Sequence, residues 1–428
     1  MNTPQSSMNS DPPTPGSLSG LRVLDLTRVL AGPWCAQLLA DLGADVIKVE
    51  RPGRGDDSRA WGPPFIMDRD GQPTQESAFF WACNRGKRSI VLDLAKSEGR
   101  RALAKLAKAS DVLIENFKTG TLARYGLGYD ELAAANPRLI HCAITGFGQT
   151  GPYKSRPGYD SIIQALGGLM SVTGRQDGAP GDGPLKAGIA VTDLMTALYS
   201  STAILAAVNE RSRSGRGQYI DMSLLDVQVA SLANIAMNYL VSGDAPRRNG
   251  NRLPTVYPSD AFRCRDGDIM LIVGNDAQFR RFSAAAGCGD LAADERFGTN
   301  SARVRNADVL AGLLAPILVR EDVQAWVARF EAAGIACSPI NDMSQVFADP
   351  QVVARKMVGE LRHPAAGPVA SVANPIRLSR TPPTYSRPPP TLGEHTAEVL
   401  TEVLGLSSDE IARIIAENSA GENHDASQ

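Results

Sequence analysis

Histidine is scarce in this chain, with four in 428 residues, at positions 141, 363, 395 and 424. That leaves few ways to build a histidine-centred triad or metal site, and the sequence has no G-x-S-x-G elbow, H-E-x-x-H pair or Walker loop. His141 follows a strand-like stretch and reads as a packed core residue, whereas the other three fall in loop-like or tail sequence. Six cysteines are scattered with no C-x-x-C pair, so neither a zinc knuckle nor a disulfide framework is suggested, and a reducing, cytoplasmic setting fits best. No charge sign dominates: 44 basic against 46 acidic side chains give a net charge of -2. Such a balance provides no global attraction to nucleic acid or anionic membrane, so an anionic ligand has to be captured locally. There is no unbroken run of 18 apolar residues, so no membrane span is expected. Nor does the polar, Pro- and Ser-rich N-terminus contain the apolar stretch of a signal peptide.

Alternating strand and helix patterns are present in quantity. "RVLDL", "WCAQLLADLG" and "DVIKVE" read as strand, helix and strand. The pattern repeats as "SIVLDL", "SEGRRALAKLAKAS" and "DVLIENF", and ends in "LIHCAITGFG". Strands separated by helices of this length predict βαβ units and a parallel, Rossmann-like sheet, with ligands at the carboxyl ends of its strands. A second region starts near Asp244, where "AFRCRDGDIMLIVG" has an Asp-Gly turn between alternating strands and predicts a smaller α+β domain.

Glu50 ends the second strand, where a dinucleotide-binding fold would place its ribose acid. The glycine fingerprint is missing, because "TRVLAGPWCA" offers only Gly32 and Pro33. Basic residues recur at the strand ends: Arg51, Arg54, Lys87, Arg88, Lys118 and Arg124. Each could belong to a solvated rim; together they suit a phosphate-rich ligand. Asp193 interrupts the small, apolar stretch "KAGIAVTDLMTALYSSTAILAAV". It reads either as a helix N-cap or as a nucleophile or acid/base whose reactivity is set by poor hydration and nearby N–H groups.

These blocks in this order resemble the family III CoA-transferases, from "LRVLDLTRVLAGP" through "GADVIKVERPGRGDD", "DVLIENFKTGTLARYGLGYDEL" and "GFGQTGPYKSRPGYD" to "LGEHTAEVL". "LTRVLAGP", "RAWGPPF" and "AVTDLMTALY" are most similar to the branch that acts on glutarate. The resemblance implies that Asp193 is the catalytic nucleophile, that CoA esters are substrates and that no cofactor or metal is tightly bound. It implies CoA contacts at Val29, Leu30, Ala31, Arg51, Lys87, Arg88, Leu92, Asn116, Phe117, Lys118, Arg124 and Tyr159, with the segment before Tyr159 beside the pantetheine.

Succinyl-CoA is the expected donor and a dicarboxylate such as glutarate the expected acceptor. A guanidinium should hold the unreacted carboxylate, at Arg28 or Arg59, with Lys186 and Arg252 in reserve. The implied partners are these substrates and a second copy of the chain in an interlocked homodimer. Residues 1–20 would then be a disordered leader, 21–225 plus 375–420 the large CoA-binding domain, and 226–250 a linker helix. The remainder would be a small domain at 251–360, a return linker at 361–374 and a disordered tail at 421–428. Two departures stand out: the formyl enzyme has glutamine where this chain has Leu30, and its glycine-rich lid is absent around "NRLPTVYPSDAF". An α-methylacyl-CoA racemase-like isomerase pairs the aspartate with a histidine, where this chain has Tyr159. A noncatalytic acyl-CoA-binding protein would be expected to lack Asp193.

Overall fold

The computed structural model describes residues 15–419, so the expected tail and most of the expected leader lie outside the described residues. The end of that leader is ordered: Leu18 N donates to Leu42 O at 2.9 Å, and the Leu18 side chain packs against the first core. The chain divides into two compact units. Among the described residues, one comprises 15–168, Gly188–Ala236 and 356–419; the other comprises Leu169–Ala187 and Met237–Arg355.

The first unit is built on six strands, β1 (Arg22–Asp25), β2 (Asp45–Glu50), β3 (Lys87–Val91), β4 (Val112–Glu115), β5 (Ile140–Thr145) and β6 (Tyr219–Ser223). They form one sheet in the order β6-β5-β4-β1-β2-β3, with every pairing parallel. Both faces are covered, which is why β2 and β4 read as nearly continuous apolar runs. Val23, Val46, Val112, Ile140 and Cys142 pack against Cys35 and Leu39 of α1 (Ala31–Asp41). Leu24, Ile47, Ile90 and Leu113 pack against Leu103 and Leu106 of α2 (Ser97–Lys108), and against Val399, Leu400, Ile411 and Ile414 near the C-terminus. His141 is packed between the rings of Tyr129 and Tyr219, at centroid distances of 6.0 and 5.2 Å.

Three further helices bear on the site: α3 (Asp160–Leu166), α4 (Val191–Ser214) and α5 (Leu224–Ser231). By length and composition α4 could cross a membrane, with a mean hydropathy of 1.4 over its most apolar 18-residue window. Its small residues explain a different placement: Thr196, Ala197, Ser200 and Ala207 are buried, letting α4 lie close against α1. The expected linker helix at 226–250 breaks at Leu232 into two helices. The expected return linker at 361–374 is largely a hairpin, Val358–His363 paired with Gly367–Val372; the alternation "VGELRH" and "GPVASV" carries that signal.

The second unit holds a three-stranded antiparallel sheet of Ser259–Arg263, Asp268–Ile272 and Ala336–Pro339. The Asp266-Gly267 turn joins the first two strands, and Phe279, Phe282, Leu310, Leu314, Trp326 and Phe330 fill the core. An α/β class with a parallel sheet and a smaller α+β unit therefore matches the sequence reading.

Candidate active site

Strand order in the large sheet reverses between β1 and β4, which places a crevice at their carboxyl ends. The loop after β1 runs through Thr27, Arg28, Val29 and Leu30 into α1. Gly32 is required there, because a Cβ at that position would lie 2.3 Å from Thr27 Cβ. Val29 has φ +74°, unusual for a β-branched residue and costing on the order of 1–3 kcal/mol unless its surroundings hold it. Asp56 holds it by accepting Val29 N–H at 3.1 Å, while Lys48 Nζ donates to Asp56 at 2.9 Å. Burial pushes the Asp56 carboxyl up, but Lys48 and the N–H donors outweigh it, leaving the pKa at about 2. Across the reversal, Asn116 accepts Arg28 N–H at 3.0 Å and donates to Arg28 O at 2.8 Å, clasping the two loops together.

These loops wall a cleft of about 550 Å³. Its far side is the loop after β5, where Gly146 meets Gly158 so closely that a Cβ on either would come within about 2.6 Å of the other's Cα. Asp193 projects into the cleft from the first turn of α4. It does not cap that helix: the N-cap is Ala190, and Asp160 Oδ1 accepts Thr192 N–H at 2.9 Å and Asp193 N–H at 3.2 Å. The Asp193 carboxylate receives no hydrogen bond from any described residue. Burial, and then the negative charge of Asp160, raise its pKa to about 7.

Val29, Leu30, Ala31, Asn116, Phe117, Lys118 and Tyr159 all line this cleft, as does Arg28. Tyr159 is 65% exposed. Arg51 and Arg124 lie outside the lining; Arg51 pairs with Asp57, and Arg124 is exposed. Four expected site residues are used for packing instead. Lys87 is fully buried, and its three N–H bonds go to Asp25 Oδ2 (2.8 Å), Pro33 O (2.9 Å) and Asn84 Oδ1 (2.8 Å). Arg88 joins Asp45 to Glu398 and Glu402. Leu92 is 1% exposed in the second core.

Arg59 is the fourth. Its guanidinium gives five N–H groups to Glu50, Glu76 and Pro390 O, and lies 3.8 Å from the centre of the Phe80 ring, so it has no donor left for a substrate. Lys186 donates to its neighbour's carbonyl, and Arg252 pairs with Asp260 and Asp308 in the second unit.

The cleft also contains Lys154 and Arg156, in the segment before Tyr159 expected beside the pantetheine, and Asp57, Trp61 and Asp160, which were not named as site residues. Lys154 and Arg156 belong to "TGPYKSRPGYD", and the proximity of two cations to a Gly-rich strand end was the available signal. Asp160 carried no signal, because only the fold brings it to the start of α4.

The sequence profile of CoA-transferase family III matches residues 18–396. A succinate–glutarate CoA-transferase of Agrobacterium fabrum is 49% identical over 395 residues, covering 92% of this chain and 96% of that one. The human succinyl-CoA:glutarate CoA-transferase is 40% identical over 413 residues, covering 96% and 91% of the two chains. A crystal structure of a CAIB/BAIF family protein from Brucella suis superposes with a TM-score of 0.84 at 46% identity, covering 91% of this chain and 100% of that one.

Proposed function

The chain belongs to CoA-transferase family III, and from that premise we propose that it carries CoA from succinyl-CoA to glutarate or a close dicarboxylate through covalent intermediates on Asp193. The observation that carries this reading is a carboxylate with no hydrogen bond from any described residue, in the first turn of a helix, in the cleft where the sheet reverses. An Asp193 oxygen attacks the thioester carbonyl, the C–S bond breaks, and its electron pair leaves with the sulfur as CoA thiolate. A mixed anhydride remains. The thiolate then attacks the Asp193 carbonyl carbon, expelling succinate and forming an aspartyl-CoA thioester.

The acceptor carboxylate repeats these steps in reverse order, so glutaryl-CoA departs and the Asp193 carboxylate returns. Charge and protons balance without an external acid. A carboxylate suits the task because its anhydride keeps the acyl group activated.

Val29 to Ala31, Asn116 to Lys118 and Tyr159 are the proposed CoA contacts, with Arg51 and Arg124 further out. Arg28 is the proposed fork for the distal carboxylate: Nη1 is held by Asp57 at 3.0 Å, and Nε has no partner among the described residues. Exposed apolar side chains at Ile162, Leu166, Leu198, Tyr199 and Val229 support a homodimer, and six free cysteines support a reducing, cytoplasmic setting. The test is to incubate the protein with succinyl-CoA and a panel of free acids, with mass detection of new CoA esters and of a CoA adduct on Asp193. Glutaryl-CoA and the adduct are expected. Turnover of butyrate equal to that of glutarate removes the dicarboxylate assignment, and adduct-free turnover removes the nucleophile.

A further inference from the structure

Asp160 is the residue closest to Asp193 in role, and the transfer chemistry above does not use it. One of its oxygens, Oδ1, accepts the backbone N–H groups of both Thr192 and Asp193, at 2.9 and 3.2 Å. The other, Oδ2, accepts Gln164 Nε2 at 2.6 Å. Thr192 is pinned in turn, its hydroxyl donating to Gln228 Oε1 at 2.6 Å. Gln164, Thr192 and Gln228 are all buried. A carboxylate is thus built into the start of α4, on a network that leaves it little freedom to rotate.

This arrangement has two consequences for the nucleophile. A first-turn aspartate usually satisfies itself on free helix N–H groups. Here Asp160 has taken the Thr192 and Asp193 N–H groups, so the Asp193 oxygens remain available to a thioester carbonyl. The second consequence is electrostatic. The start of α1 contributes Ala31, Gly32 and Pro33, the end of β5 contributes Ile144, Thr145 and Gly146, and the start of α5 contributes Leu224; none of these is charged. The cleft's other charged side chains are Arg28, Asp57, Lys118, Lys154 and Arg156. Asp160 is the charge that presses on Asp193.

We propose that Asp160 is the positioning residue of the nucleophile: it occupies the helix N–H groups that would otherwise bind Asp193, and its charge is repelled by the free Asp193 carboxylate but not by the neutral anhydride or thioester. The like charge raises the free enzyme relative to both covalent states, so acylation is faster and more of the enzyme rests as aspartyl-CoA at a given ratio of succinyl-CoA to succinate. This role rests on the Asp193 nucleophile. The rise in the Asp193 pKa to about 7 is in the direction this arrangement requires.

Asp160→Asn tests the proposal, because the amide oxygen can keep the cap while the charge is removed. The acid limb of kcat/KM should move down by about one pH unit. Above pH 8, kcat should fall about tenfold with KM for succinyl-CoA within about twofold, and the CoA adduct seen by intact mass should drop by a similar factor. Asp160→Glu, which keeps the charge, should restore the wild-type acid limb even if its longer arm lowers kcat. Loss of a cap alone lowers stability and leaves the limb in place, so melting curves of both variants are read beside the kinetics. If wild type carries the adduct and folded Asp160→Asn matches it in acid limb and adduct fraction, the positioning role is overturned while the nucleophile stands. If wild type carries no adduct, the nucleophile itself is overturned, and this proposal with it.

Discussion

Arg28 and Arg59 follow neighbouring strands of one sheet, and the sequence presents them alike, each with an apolar residue nearby and an aspartate within three positions. Their surroundings divide them. Arg59 is 5% exposed, with all five N–H groups taken by Glu50, Glu76 and Pro390 O. Arg28 faces the cleft, gives one N–H to Asp57, and has an Nε with no partner among the described residues. The same contrast separates a whole layer from the cleft above it. Asp25, Lys48, Glu50, Asp56 and Lys87 are buried and paired, whereas Lys118, Lys154, Arg156 and Asp193 line open space. A charge at a strand end becomes part of a site only when the chain itself leaves its hydrogen-bonding capacity unused.

The largest effect expected from breaking this contrast is at Asp193. Asp193→Asn should lower transfer by about a thousandfold or more, because an amide cannot form the anhydride. The same variant should be more stable than wild type at alkaline pH. A carboxyl whose folded pKa lies near 7, above its ordinary value of 3.8, costs stability once it ionises and nothing while it is protonated in both states. The gain should therefore be on the order of 2–4 kcal/mol at pH 8 and fade as pH falls from 7 towards 4. Urea melts at pH 8 and pH 4 check it, and equal wild-type and variant midpoints at pH 8 would mean that Asp193 is not a strained charge.

Next in size is the paired layer. Arg59→Ala leaves the buried Glu50 and the half-buried Glu76 without their shared cation, at a cost of about 3–5 kcal/mol. Arg59→Lys should recover little of it, since an ammonium cannot fork to two carboxylates. Urea denaturation measures both. A variant of wild-type stability with altered acid selectivity would return Arg59 to the substrate site and erase the contrast with Arg28.

Arg28→Ala should behave in the opposite way, with stability changed by less than about 1 kcal/mol because its ion pair is half exposed. Its effect should fall on selectivity: kcat/KM for glutarate relative to valerate should drop about ten- to a hundredfold. Competition between the two acids in one reaction, read by mass, gives that ratio directly. An unchanged ratio would send the search to Lys118, Lys154 or Arg156.

The parallel sheet was legible in the sequence because alternating apolar runs and helical periods are local signals. Asp193 stood out by its apolar setting, but the residues alone left a helix cap and a nucleophile both open, and the choice between them came from the family resemblance. What could not be read is which cations the fold would consume. Lys87 lies in "NRGKRSIVLDL", at least as basic as "FKTGTLARYG", and only the register of β3 against β2 turns it towards Asp25. What caps α4, one of the two readings left open for Asp193, was hidden for a related reason. The acceptor, Asp160, is the first residue of another helix, α3, and a single sequence shows caps only when they are contiguous. The hairpin at Val358–His363 and Gly367–Val372 was legible in its alternation, but residues 361–374 were read as a linker returning the chain to the first domain.

The smallest effects should come from the exposed cations of the cleft. Lys118 and Lys154 line it from neighbouring loops, tied by Thr119 Oγ1 donating to Lys154 O at 3.1 Å. Neither has an ion pair with a described residue, so each can meet a phosphate of CoA without first giving up a partner. Exposed charge pairs are worth about 0.2–1 kcal/mol, so each alanine variant should raise KM for succinyl-CoA by about two- to fivefold and leave KM for glutarate unchanged. Screening shortens the reach of such charges from about 14 Å at 0.05 M salt to about 6 Å at 0.3 M, so the difference between wild type and variant should narrow over that range. The paired layer beneath, being buried, should not respond to salt in this way. A salt-independent loss at Lys118 or Lys154 would mean that the residue acts through packing, and would place it with Lys87 rather than with the cleft.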